Sequence, residues 1–137
     1  MLKHPTVDKL LEMKLTGMLS ALQQQIDMPE LQSLTFEDRL GLLIDAEFSE
    51  RETTQLSKRL KAAKLRQTAC LEDLDFKPGR GLDKLLIGQL AECDWIKKNM
   101  NIMIVGPTGV GKSYVSCALG QKACRSGHTV AYFRAPR

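Results

Sequence analysis

Gly106-Pro-Thr-Gly-Val-Gly-Lys112-Ser113 carries glycine, lysine and hydroxyl at the spacing G-x-x-x-x-G-K-[ST], the P-loop or Walker A pattern. The chemistry it serves is capture of a nucleoside triphosphate. Crowded phosphate oxygens are best met by a run of backbone N–H groups curled around them. Gly106, Gly109 and Gly111 permit the backbone angles and close approach that a Cβ would block. Pro107 stiffens the entrance and lacks only its own donor, while Thr108 and Val110 complete the loop. Lys112 is placed to reach the β- and γ-phosphates and the Ser113 hydroxyl to sit on Mg²⁺, so ATP and Mg²⁺ are the expected cofactors.

Such a loop needs a strand before it and a helix after it. Asn101-Ile-Met-Ile-Val105 is a short apolar run suited to a strand buried on both faces. Val115, Ala118, Leu119 and Ala123 then recur at helical spacing up to Arg125. The N-terminus of that helix, with its unpaired amides and positive dipole end, favours an anion. Gly127 fits the helix stop, with Lys122 and Arg125 in the last turn, and Thr129 to Phe133 reads as a second strand. A chance glycine-rich turn would not require this order of elements.

Turnover of the nucleotide needs more. From Trp95 to Arg137 there is no Asp or Glu. P-loop NTPases hold Mg²⁺ partly through a carboxylate on a later strand and need a further residue to orient water. The upstream acidic residues fall in helices and connecting loops, which makes them poor substitutes. Two strands and one helix also cannot cover both faces of a sheet. The expectation is ATP capture without hydrolysis, with no catalytic residue assigned, in a chain that is a truncated form or fragment of a longer one.

The first hundred residues read as mostly helical. Leu11, Leu15, Met18, Leu22 and Ile26 form one apolar stripe that Pro29 ends. Thr35 with Asp38 marks a helix start, and Ser49 followed by Glu52 is a capping-box signature that would divide the long helical stretch, one continuous helix being the alternative. Lys58, Arg59, Lys61, Lys64 and Arg66 then place five positive charges and no negative one on a further helical segment. Two readings stay open there: a solvated helix face, or an electrostatic track for a phosphate backbone. The stretch from Glu37 to Glu52 is acidic, so the helical region is polarised. Pro78-Gly-Arg-Gly81 marks a loop, and Leu82, Leu85, Leu86, Leu90 and Cys93 predict a helix leading to the P-loop strand. Trp95 reads as packing beside that stripe.

Composition sets the frame. Of 137 residues, 43% are hydrophobic and 26% charged, with a formal charge of +4, which fits a globular chain rather than a disordered one. No apolar run approaches the roughly 20 residues of a membrane span and no signal-peptide core appears, so a cytoplasmic protein without membrane contact is expected. Cys70, Cys93, Cys117 and Cys124 lack C-x-x-C pairing or metal spacing with His4 or His128, and read as small buried residues in a reducing compartment.

The chain resembles the N-terminal half of the IstB-like transposition helper ATPases, AAA+ proteins related to the DnaC helicase loaders. The resemblance is carried by Lys14-Leu-Thr-Gly-Met18, Thr35-Phe-Glu-Asp-Arg-Leu-Gly-Leu-Leu43, Lys58 to Arg66, Arg80-Gly-Leu-Asp83, Ala91-Glu-Cys-Asp-Trp-Ile96, the P-loop and Ala118-Leu-Gly-Gln-Lys-Ala-Cys124. It implies an α + α/β fold: an N-terminal helical region over 1–75, then the truncated start of a P-loop (AAA+) αβα domain over 76–137. It also implies homo-oligomers that act on DNA with a transposase, with Gly106 through Ser113 on ATP and Mg²⁺ and the Lys58–Arg66 segment as a candidate for DNA or partner contact. The family's acidic Mg²⁺ strand, sensors and arginine finger have no counterpart here. In that family's sheet, later segments separate the two strands expected here, so their edges should be unpaired. The competing readings are a non-enzymatic helical module for DNA or a partner with a vestigial P-loop, and a helicase-loader-like adaptor.

Overall fold

The computed structural model describes residues 4–77, 79 and 81–136. Its helices are α1 (Pro5–Glu12), α2 (Thr16–Asp27), α3 (Phe36–Ala63), α4 (Lys84–Ala91), α5 (Asp94–Lys97) and α6 (Lys112–Arg125), with 3₁₀ turns at Pro29–Ser33 and Leu71–Asp73. They form two compact units that divide between Gln55 and Leu56.

In the first unit, the stripe expected as one helix from Leu11 to Ile26 is split into α1 and α2. The amides of Lys14 and Leu15 turn back to the carbonyls of Leu11 (3.0 Å) and Leu10 (2.9 Å), and Lys14 takes φ 59°. This is a Schellman ending built on a lysine instead of the usual glycine. The following helix begins at Leu15, whose side chain cannot cap it. Carboxylates from α3 take that role: Glu47 Oε2 accepts from the Met18 amide at 3.0 Å, and Glu50 accepts from the Thr16 hydroxyl. Gly17 makes the approach feasible, because a Cβ there would stand 2.8 Å from the Ala46 carbonyl oxygen and 3.0 Å from Glu47 Cα. Eight residues beyond Gly17, Gln25 Nε2 donates to the Arg39 carbonyl at 2.9 Å. The two contacts run α2 antiparallel along the first half of α3. The Met18 amide holds the Glu47 carboxyl below the usual carboxylate range, against the opposing effect of burial and with help from Arg51 at 3.0 Å.

Thr35 starts α3 as expected, its hydroxyl accepting from the Asp38 amide at 3.2 Å and donating to Asp38 Oδ2 at 2.8 Å. The division expected at Ser49 does not occur. With no glycine or proline near it, the backbone stays helical through the site, and the Thr53 hydroxyl donates to the Ser49 carbonyl at 2.9 Å.

The second unit is arranged around α6, which buries Val115, Cys117, Ala118, Leu119, Ala123 and Cys124. Of these, Val115, Cys117, Ala118 and Leu119 pack with Ala69, Leu71 and Ile87, and full burial of a side chain such as Leu119 contributes about 1.5–3 kcal/mol. The C-terminal end of α6 is thoroughly satisfied. The Gly127 amide donates to Cys124 at 3.1 Å, the His128 amide to Ala123 at 2.9 Å, and Arg59 Nε to the Cys124 carbonyl at 2.9 Å. Arg125 adds an ion pair with Glu72 at 2.8 Å.

Helix α4 is capped by Asp83, which accepts from the Leu85 amide at 2.9 Å. It buries Ile87, whereas Leu85 and Leu86, expected on the inner stripe, face outward. The inward face is thus rotated relative to the expected one, following Ile87, Leu90 and Ala91 onto the core. Trp95 is half-buried and donates from its indole to the Leu90 carbonyl at 3.0 Å. In the loop expected at Pro78–Gly81, Pro78 and Arg80 lie outside the described residues, while Gly79 and Gly81 take φ of 94° and 73°.

The two expected strands are not formed: among the described residues there is no β-strand, so the αβα layering is not displayed. Residues 101–105 and 129–133 nonetheless keep a two-residue alternation. Ile102, Ile104, Val130 and Tyr132 turn toward the core, while Met103, Val105 and Phe133 are 88%, 81% and 86% exposed. Residues 101–105 therefore bury one face and not two. A strand exists through its ladder, and the described residues supply no neighbouring strand for either segment. One backbone contact fixes the second segment: the Tyr132 amide donates to the Ala63 carbonyl at 2.9 Å, at the end of α3.

Candidate nucleotide-binding loop

The loop from Gly106 to Gly111 is solvent-exposed throughout and leads directly into the first turn of α6. Gly109 and Gly111 have φ of 84° and 96°, angles at which an L side chain is strained. Gly111 is the N-cap residue of α6 and offers no side-chain oxygen to the first turn. Its carbonyl accepts from the Val115 amide at 3.1 Å, which closes the first helical ring. None of the amides from Gly109 to Tyr114 has an acceptor among the described residues. That leaves a row of donors at the positive end of a helix dipole.

The two side chains nearest the loop mouth are its own. Val110 Cγ2 lies 3.2 Å from where a Cβ of Gly106 would stand, and the Lys112 stem 3.7 Å from it. The Lys112 ammonium donates to the Gly106 carbonyl. A neutral carbonyl is a modest partner for a full positive charge, and phosphate oxygens form much stronger charge-assisted bonds. Lys112 is therefore held at the mouth by a contact that an anion outcompetes. Pro107, Thr108 and Ser113 are exposed, and the Ser113 hydroxyl has no hydrogen-bond partner among the described residues.

Beside the loop lies a cavity of about 250 Å³, lined by Asp73, Leu74, Leu82, Val110, Gly111 and Tyr114 among others. Asp75 also lines it, with Lys77 Nζ at 3.7 Å and the Lys77 amide at 3.0 Å. No local signal places these two carboxylates near the P-loop, since they come from a turn thirty or more residues upstream. Among the described residues, no group of three or more His, Cys, Asp or Glu side chains is placed to hold a metal ion.

The basic residues are not gathered on one helix. Helix α3 ends at Ala63, so Lys58, Arg59 and Lys61 are helical, Lys64 follows the helix end with φ 51°, and Arg66 lies in a bend. Lys58, Lys61, Lys64 and Arg66 are exposed, whereas Arg59 is half-buried on the end of α6. Burial raises the Cys124 thiol above its ordinary range, which keeps it neutral beside Arg59. No helix among the described residues is long and apolar enough to cross a membrane.

Residues 8–137 match the family described as IstB-like ATP binding protein. The chain is 46% identical, over 138 aligned residues, to the insertion sequence IS1162 protein of Pseudomonas fluorescens, which is named for ATP binding. It is 48% identical to an insertion-sequence protein of Sinorhizobium fredii that carries the same designation. Both alignments cover all of this chain but only 60% and 56% of those relatives, so the chain spans somewhat over half their length. A more distant relative, from insertion sequence IS21 of Pseudomonas aeruginosa, is 32% identical over 99 residues.

Proposed function

The chain belongs to the IstB-like ATP-binding family, and on that footing we propose that Gly106 through Ser113 bind the triphosphate of ATP with its Mg²⁺. The observation that carries the reading is the uncapped start of α6: unclaimed amides from Gly109 to Tyr114, with an ammonium at their edge. Bound phosphate oxygens would take those amides and draw Lys112 from the Gly106 carbonyl. Ser113 would add its hydroxyl to the Mg²⁺ that the phosphates carry. The apolar cavity between Leu74, Leu82, Val110 and Tyr114 gives the base a place beside the loop. Residues 76–137 are, in this reading, the beginning of an αβα AAA+ layer whose sheet needs further strands.

The proposed role is nucleotide binding in insertion-sequence transposition, acting with DNA and a transposase in a homo-oligomer. Lys58, Lys61, Lys64 and Arg66 supply exposed positive charge for phosphate backbone, and Arg59 joins them while anchoring α6. Residues 1–137 alone should bind ATP without turning it over, because no carboxylate follows Asp94 to hold the metal or orient water. The test is titration of the purified chain with a fluorescent ATP analogue beside Lys112→Ala, with phosphate release measured in parallel. Saturable, Mg²⁺-dependent binding that Lys112→Ala weakens, with release equal in both proteins, is expected. Equal binding by both proteins would remove the P-loop assignment. Release above the Lys112→Ala level would show that the chain's own carboxylates, Asp73 and Asp75 first, complete the site.

A further inference from the structure

The α2–α3 hairpin leaves one face of α3 uncovered. Phe36, Leu40, Ile44 and Phe48 recur at intervals of four, and they are 69%, 38%, 50% and 63% exposed. At 100° per residue each step advances about 40°, so the four form one continuous stripe about 18 Å long. The adjoining face, through Arg39, Ala46, Glu47 and Glu50, is the one that α2 occupies. Large apolar side chains at i, i+4, i+8 and i+12 with nothing packed on them match the pattern by which one helix receives another.

The border of the stripe indicates what it receives. Glu37 and Asp45 follow Phe36 and Ile44 in sequence and lie along the edge away from α2, and Glu52 continues that edge beyond Phe48. All three are exposed, and none has an ion-pair partner among the described residues. Two copies of this face packed antiparallel would bring these carboxylates together, at an electrostatic penalty. A helix with lysine or arginine along its edge would pair them.

We propose that the Phe36–Leu40–Ile44–Phe48 stripe is a docking face for an amphipathic helix with basic flanks on a partner polypeptide. The stripe belongs to the first unit and the P-loop to the second, and docking does not require nucleotide. Two synthetic peptides of about 18 residues provide the probe, each with leucines at the same intervals of four, one flanked by lysine and the other by glutamate. Fluorescence anisotropy on the full chain should show the lysine-flanked peptide binding about tenfold or more tightly than its counterpart. The triple variant Glu37→Lys, Asp45→Lys, Glu52→Lys, which leaves the stripe intact, should invert that preference. Leu40→Ser with Ile44→Ser should abolish binding of either peptide while far-UV circular dichroism stays helical. Lys112→Ala should bind the peptide as wild type does, which separates this test from that of the P-loop. Equal binding of both peptides, or a preference that survives charge reversal, overturns the proposal. So does a wild-type dimer in light scattering that the two serines dissociate, since a second copy would then cover the stripe.

Discussion

Helices α2 and α6 both begin without a side-chain cap, at Leu15 and Gly111, yet their first turns have opposite fates. At α2 the chain fills the gap itself, with Glu47 on the Met18 amide and Glu50 on the Thr16 hydroxyl. At α6 nothing in the described chain fills it, although the other end of the same helix is closed by Gly127, His128 and Arg59. A helix N-terminus attracts negative charge wherever it lies. What distinguishes these two is the surrounding sequence: α2 has carboxylates waiting on a neighbouring helix, and α6 has glycines and a lysine. The first arrangement holds a fold together, and the second leaves amides unclaimed among the described residues, on which the proposed phosphate site rests.

The largest effect should come from the open end. Lys112→Ala removes the one charged donor there and should weaken ATP binding about 10- to 150-fold, the range for a lost hydrogen bond to a charged group. Titration calorimetry reads this directly, and an unchanged affinity would break the contrast between the two helix starts. Next comes the closed end. Gly17→Ala forces a methyl against the Ala46 carbonyl, so the first unit should lose about 1–3 kcal/mol in urea unfolding while ATP affinity stays unchanged. A variant as stable as wild type would mean that α2 does not sit on α3 as described.

Arg59 and Lys61 sharpen the comparison from the far end of α6. Arg59→Ala should destabilise the chain by about 1–3 kcal/mol by removing the charged donor from the Cys124 carbonyl, which the Gly127 amide alone then serves. Lys61→Ala should leave stability within about 0.5 kcal/mol and instead reduce the salt slope of any DNA binding by about 0.9. Equal effects of the two on unfolding would contradict the separation of anchoring from solvated charge. The smallest effect concerns pH. Glu47 titrates below its ordinary range in the folded state, so its contribution is present above the unfolded carboxylate range and is lost as pH falls through the folded one. Denaturation midpoints should fall less steeply in Glu47→Gln than in wild type as pH falls from the ordinary carboxylate range downward, and parallel curves there would refute the capping role.

Much of the site was legible because its signals are local. Glycine, lysine and serine at fixed spacing gave the loop, and the left-handed angles fall at Gly109 and Gly111. Val115, Ala118, Leu119 and Ala123 were readable as the buried face of α6, and Thr35 with Asp38 as the start of α3. Signals that depend on distant partners were not legible. Glu47 looked like one of several helical acids, and only its placement 29 residues from Met18 makes it a cap. The break at Lys14 was hidden because the apolar spacing runs through it and the turning residue is a lysine. Arg59 was grouped with a basic run, though its Nε belongs to the end of a helix 65 residues away. Residues 101–105 and 129–133 carry strand-like alternation, but a ladder needs neighbours that local sequence cannot supply.

The most direct measurement is a backbone amide ¹H–¹⁵N spectrum of the chain titrated with Mg²⁺–ATP. The resonances of Gly109 through Tyr114 should move together and saturate, while that of Met18, whose amide Glu47 already holds, stays in place. Shifts that leave Gly109 to Tyr114 untouched, or that persist in Lys112→Ala at the same nucleotide concentration, would contradict the account.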